Sequence, residues 1–306
     1  MSTTRSSSST RRETIGGLLV GLSALQFGFV VLLGKFARRH GLPVEAMLSI
    51  RFGLGAVLLA AALVALRRPL VAAPGERAGL ALIALLGYAV EATFFFTALG
   101  HGTVAAVTLL FFTYPVLVTL GTWVLGRGAP ARQTLLALAS ALVGAAIVVG
   151  TGAGLQIETL GVVLALASAV TFSGYLVGAD AVLRRTNALT SAMWVSAGAS
   201  IGLFLYASAI GHWRLPAASN EWFPLLGMGL ASAGAFVCLM AGLQRIGAVR
   251  TAIVSALEPL AAATLAWLFL DETVTWGIAV GGTLILVAAV TASLARAATP
   301  QEQQIP

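Results

Sequence analysis

Charge is what this sequence has least of. Its 306 residues carry 18 Lys+Arg and 11 Asp+Glu, 9% charged in all, where a soluble domain carries roughly 25%. So few charges cannot coat a water-soluble globule of this length. Soluble enzymes, secreted disulfide scaffolds and disordered proteins are therefore excluded. Cysteine is nearly absent too: Cys238 stands alone in an apolar stretch, which forbids an intramolecular disulfide and reads as a small packed hydrophobe. The three histidines, His40, His101 and His212, all fall in predicted loops. No cluster of His, Cys, Asp and Glu has metal-ligand spacing, so neither a metal nor a cofactor is expected. Lysine occurs once, at Lys35. It follows Gly34 but lacks the upstream glycine and the following Ser/Thr of a phosphate-binding loop, so no ATP-driven pump is encoded.

What the chain does have is 58% hydrophobic residues and a mean hydropathy of +0.95. At about 20 residues per helical span, there is room for ten spans and little else. Ten apolar runs are present: Ile15–Gly34, Ala46–Leu66, Gly79–Ala98, Val104–Leu125, Gln133–Gly150, Leu160–Gly178, Leu189–Gly211, Trp222–Gly242, Ala248–Leu270 and Trp276–Leu294. They are unalternating and rich in Ala, Leu and Gly, which fits helices and not the strands of an outer-membrane barrel. The fold expected is an all-α integral membrane protein of ten transmembrane helices. Residues 1–14 read as a disordered cytoplasmic arm, 151–158 as a short linker and 296–306 as a cytoplasmic tail.

The cations sort by side. Thirteen arginines fall on one side of the predicted spans. Only Lys35, Arg38, Arg39 and Arg214 fall on the other, and Arg51 lies inside the second run. By the positive-inside rule both termini are cytoplasmic and the protein sits in the cell (inner) membrane. The net charge of +7 is thus explained by topology, and no nucleic-acid partner is needed. Membrane lipids and a small-molecule substrate are the expected partners, with the protein a monomer or weak dimer.

The chain also matches itself at one constant offset. Gly17 and Gly161, Gly34 and Gly178, Ala37 and Ala181, Leu86 and Leu230, Leu99 and Leu243, Pro115 and Pro259, and Trp123 and Trp267 all stand 144 residues apart. The Pro and Trp pairs carry most of the weight in so apolar a composition. The offset lays residues 15–150 over 159–295 as two five-helix repeats. Five spans is an odd number, so the second repeat enters from the opposite face, the inverted-topology arrangement of secondary transporters.

At this point the residues resemble a family. Leu257-Glu258-Pro259 followed by Trp267 and Asp271-Glu272-Thr273-Val274-Thr275 is similar to the second-repeat signature of EamA-type proteins of the drug/metabolite transporter superfamily. Lys35, Pro43 and Arg51 are similar to the first-repeat pattern, and Leu160-Gly161 opening the sixth run fits as well. The resemblance covers residues 15–295. Two departures stand out: Arg127-Gly128 replaces the acidic pair in the first repeat, and Gln26-Phe27-Gly28 stands where Trp-Gly is commoner. The resemblance implies a central cavity lined by helices 1, 3, 4, 6, 8 and 9, with helices 5 and 10 peripheral. Bacterial exporters of amino acids, including aromatic ones, are the branch it looks most like.

Within the spans, ionisable residues are few. Glu91 lies mid-helix, where insertion costs about 2.5–3.5 kcal/mol, so a role is expected by default. Tyr88, Gly87 and Phe95 share its face at helical spacing, and a carboxylate flanked by aromatics suits an ammonium group. Glu258 shares a face with Ser255 and Thr251; it reads as structural or gating, and Glu258 and Ser255 are also candidate substrate contacts. Pro115 and Pro259 each remove a helix hydrogen bond, to Phe111 and Ser255 respectively, and are the candidate hinges. Tyr114 and Tyr175, whose hydroxyls need partners at mid-depth, join Gln26 and Phe111 as candidate substrate contacts. Arg51 reads as a snorkelling or paired residue near a helix end. Efflux of cationic drugs or nucleoside-like metabolites is the alternative cargo. From a different class, Gly198-Ala199-Ser200-Ile201-Gly202 matches the nucleophile-elbow pattern and would make the protein an intramembrane hydrolase. It lies in an apolar helix rather than a strand–turn–helix, the three histidines fall in loops, and no catalytic residue is assigned.

Overall fold

A computed structural model describes residues 3–39, 41–126, 132–150, 157–255 and 257–297. Every extended element in it is helical. We label the helical segments α1 (Thr3–Arg39), α2 (Val44–Ala65), α3 (Arg77–Ala98), α4 (Val104–Val124), α5 (Arg132–Gly150), α6 (Thr159–Val182), α7 (Ala188–Ala209), α8 (Ser219–Ala248), α9 (Arg250–Leu270) and α10 (Trp276–Ala297). Among the described residues eight of these, α1–α4 and α6–α9, are long and apolar enough to cross a membrane; the apolar part of α10 is the shorter Trp276–Ala288. Arg127, Gly128, residues 151–156 and the tail beyond Ala297 lie outside the described residues. Helix α1 runs on from Thr3 through the polar stretch expected as a disordered arm. Extending a formed helix adds one hydrogen bond per residue fixed, which offsets the weak propensity of Ser and Thr.

Hydropathy drives insertion but not the pairing of helices, which rests on close packing. The main pairings are α1 with α8, α3 with α6, α2 with α7 and α5 with α10, followed by α1 with α9 and α4 with α6. Exchanging α1–α5 for α6–α10 maps this set onto itself: α1–α8 becomes α6–α3, and α1–α9 becomes α6–α4. Glycine permits the closest approaches. A β-carbon at Gly144 of α5 would meet the Gly281 carbonyl of α10 at 2.6 Å. Polar staples hold other pairs: Ser49 and Ser200 each donate to the other's carbonyl (3.0 and 2.9 Å), and Ser23 donates to the Ala235 carbonyl (2.8 Å).

Among the described residues four helices, α3, α4, α8 and α9, depart from regular α geometry. In α3 the six residues Ile83–Tyr88 form a π-helix, a local widening that is frequent at functional sites. In α4 the helix stops at Phe111 and resumes at Tyr114, with Pro115 in the first turn of the second piece. Between α8 and α9 the chain bends at Gly247, whose φ of +74° a β-carbon would strain. A second break follows, and Leu257–Leu270 begins just before Pro259.

Candidate functional site

A small cavity lies between α1, α2, α3, α4, α6 and α9. Phe27, Val30 and Val31 come from α1, Arg51 from α2, and Tyr88, Glu91, Ala92, Phe95 and Phe96 from α3. Phe111 of α4, Phe172 of α6 and Glu258 of α9 complete the wall. The free space is about 30 Å³, enough for one or two waters and far below the size of an amino acid. The cavity differs from the expected lining in two respects. Helix α2 takes part through Arg51, and α8 contributes no wall residue; its Phe236 stands behind Phe27, Phe52 and Tyr88 at 4.8–6.0 Å between ring centroids. Helices α5 and α10 pack on each other away from it.

Of the residues singled out in sequence, Tyr88, Glu91, Phe95, Phe111 and Glu258 are brought together here. Glu91 is buried, 5% exposed, and its carboxylate accepts a hydrogen bond from Ser168 Oγ at 3.1 Å. The helical phase read for α3 holds for Tyr88, Glu91 and Phe95, while Gly87 instead packs against the Tyr175 ring. Tyr114 and Tyr175 stand one layer back. Tyr175 stacks on Phe172 (5.7 Å), and its hydroxyl meets only the Met240 sulfur, at 4.0 Å. Tyr114 packs edge-on to Phe172 (4.8 Å), its hydroxyl near Ser255 yet short of a hydrogen bond. Gln26 faces Gly234 of α8 and does not reach the cavity. Pro259 does not leave the Ser255 carbonyl free: the Glu258 amide takes it at 2.8 Å.

Arg51 is the largest fully buried side chain, 1% exposed, where snorkelling would have left it in water. It is the eighth residue of α2, roughly 10 Å in from the helix start. Its Nε donates to Ser232 Oγ at 2.8 Å, and its guanidinium lies 4.3 Å from the Phe52 ring centroid and 5.2 Å from that of Phe96. The helix-end position suggested a route to water, but α8 packs across that route. Phe96 also went unremarked in sequence, since nothing in an apolar run marks which phenylalanine turns inward.

Each end of the cavity helices carries a polar latch. At one end Lys35, closing α1, donates to the carbonyls of Leu99 (3.1 Å) and Gly102 (2.8 Å) and pairs with Glu272 at 3.5 Å. Glu272 in turn accepts the Val104 amide at the start of α4 (2.9 and 3.1 Å), a helix N-terminus that favours a carboxylate. Asp271 allows this by adopting φ +56°, which ends α9 and turns the next residue back. At the other end Glu76 accepts hydrogen bonds from the amides of Arg184 (3.0 Å), Arg185 (2.7 Å) and Thr186 (2.9 Å) and from the Thr186 hydroxyl (2.5 Å). Burial would raise its pKa, but these four donors prevail and hold the carboxyl below the usual carboxylate range.

Two stretches, residues 14–150 and 159–294, match the EamA-like transporter family and together account for most of the chain. The chain belongs to the EamA-like transporter family. As a member it is a multi-pass membrane transporter built from two EamA repeats. It is 30% identical over 172 residues to an uncharacterized transporter of Synechocystis sp., a match covering 54% of this chain and about half (51%) of that relative. It also shares its fold with a protein of known crystal structure, at TM-score 0.66 and 21% identity, over 96% of this chain and 99% of the other. Membership also fits a non-enzyme. Ser200, the nucleophile of the hydrolase reading, spends its hydroxyl on the Ser49 carbonyl as a helix-packing contact.

Proposed function

We propose that this EamA-family transporter exports small amphipathic metabolites, with amino acids, aromatic ones included, as the foremost cargo. One observation carries the reading: two carboxylates, Glu91 and Glu258, face a cavity whose remaining wall is mostly aromatic rings, with Val30, Val31, Ala92 and Arg51. An ammonium group beside an apolar or aromatic body complements such a wall, the carboxylates taking the charge and the rings the body. Cationic drugs or nucleoside-like metabolites are the second reading, because the same carboxylates would also take a drug's cation.

The transport cycle we propose is alternating access. The exchange-symmetric helix pairings and the 144-residue offset support two inverted five-helix repeats and ten spans, with both termini cytoplasmic and the Lys35 latch on the outer side of the inner membrane. A cavity of about 30 Å³ must widen to admit cargo. The breaks ahead of Pro115 and Pro259 are where α4 and α9 would flex. The test is a competition panel in proteoliposomes, with amino acids, nucleosides and cationic dyes competing for uptake of a labelled aromatic amino acid. Amino acids should compete best, and Glu91→Gln, which keeps the Ser168 contact and hence the fold, should cut uptake severely. Preferential uptake of a dye or nucleoside would replace the amino-acid reading with the second one.

A further inference from the structure

Burying a guanidinium is unfavourable unless its charge is paired and its donors are satisfied. Arg51 meets these conditions only in part. Its Nε is used by Ser232, but its Nη1 is buried and has no hydrogen-bond partner. Tyr88, Glu91 and Glu258 share the cavity and act on it through space, the Tyr88 hydroxyl foremost, yet neither carboxylate closes to an ion pair with it. The rest of the guanidinium is held in place rather than neutralised, lying against Phe52 and Phe96. A fixed cation with an open donor, lining a cavity in which neither glutamate bonds to it, is arranged to receive a further anion.

We infer that Arg51 is the anchor for a carboxylate on the cargo, which makes an anionic group beside the amine a requirement for transport. This rests on the amino-acid reading above and sharpens it, since the two glutamates alone would serve an amine of any kind. The geometry divides the labour. Arg51 on α2 takes the carboxylate, Glu91 on α3 and Glu258 on α9 flank the ammonium, and the rings of Phe95, Phe111 and Phe172 face the side chain. A guanidinium is suited to this role because its planar fork matches the two oxygens of a carboxylate. Decarboxylated amines and uncharged amides of the same amino acid would leave Nη1 unpaired and would be rejected.

The test uses the full chain in proteoliposomes loaded for uptake of labelled phenylalanine, with three unlabelled competitors: phenylalanine, phenylalaninamide and phenethylamine. On the unmodified protein the amide and the amine should compete about ten- to a hundredfold less well than phenylalanine, the range expected for losing a hydrogen bond to a charged group. Arg51→Gln should lower phenylalanine uptake by a similar factor and make the three competitors equivalent, with Arg51→Lys falling between. Equal competition by phenethylamine in the unmodified protein overturns the inference and leaves amino-acid transport standing. So does an Arg51→Gln protein that still prefers phenylalanine. Uptake of a carboxylate-free cationic dye in place of phenylalanine would sink both readings. The competition on unmodified protein decides the matter even where Arg51→Gln does not fold.

Discussion

Glu272→Gln removes the charge from the latch that joins the ends of α1, α3, α4 and α9. At 3.5 Å from Lys35, and with an effective dielectric near 20, the gross attraction is about 5 kcal/mol. The two side chains are 20% and 13% exposed. Screening and desolvation therefore reduce the net contribution of the pair to about 1–2 kcal/mol. The Val104 amide keeps an acceptor in glutamine but loses the charged one, which adds about 0.5–1 kcal/mol. A loss of about 2 kcal/mol shifts the balance between closed and open forms of that end by roughly thirtyfold. To read it, Ala92, a buried wall residue of the cavity, is changed to cysteine in a Cys238→Ala background. Alkylation by a membrane-impermeant thiol reagent applied from the Lys35 side should then accelerate at least tenfold on Glu272→Gln. Glu76→Gln, at the far end of α3, should leave that rate unchanged. A rate within twofold of the parent in folded Glu272→Gln protein would refute the view that this latch holds the cavity shut.

Four further outcomes are expected. Gly34→Ala places a β-carbon 2.2 Å from the Phe96 ring, so the thermal midpoint in detergent should fall by several degrees and transport with it. Gly17→Ala meets nothing within 4 Å and should be neutral or slightly stabilising. Glu76 has a folded-state pKa below its unfolded value, so its contribution to stability is complete above the ordinary carboxylate pKa, about 4.3, and is lost as pH falls through the lower folded value. Thermal midpoints measured from pH 7 downward should drop in that acid window, and Glu76→Gln should lower the neutral-pH midpoint and flatten the drop. Reporter fusions should place both termini in the cytoplasm, and an external C-terminus would remove the ten-span arrangement.

The sequence shows much of the architecture because its signals are local. Apolar runs separated by Pro, Gly and charge need no tertiary information, and the Pro115/Pro259 spacing survives whatever the helices pack against. The site is less legible. Glu91 stands out because a carboxylate in an apolar run is conspicuous, and the phase of α3 then brings in Tyr88 and Phe95. Where a helix is apolar all round, however, periodicity does not choose the inward face, so Phe96 and Phe172 have no mark that Phe94 lacks. Arg51 misleads for a related reason: two turns from a helix end is compatible with reaching water, and only the placement of Ser232 on α8 closes that path. The π-segment Ile83–Tyr88 has no sequence signature at all, since its extra residue per turn is a response to packing. Lys35 and Glu272 are each visible as motif residues, but their meeting depends on the left-handed turn at Asp271.

The wall of the cavity is lopsided. Ten of its twelve lining residues come from before residue 112, and only Phe172 and Glu258 come from the second repeat. The positions matching Tyr88, Glu91 and Arg51 at the 144-residue offset are Ser232, Ala235 and Val195, so the two repeats differ in chemistry at the cavity while sharing the Pro115/Pro259 pair. On the proposed reading of the cavity, cargo preference would be heritable almost as one block. A chimaera that grafts residues 14–150 onto the second half of another family member would carry across ten of the twelve lining residues, leaving Phe172 and Glu258 to the new half. New specificities can therefore arise by recombination at the linker as well as by substitution within either half.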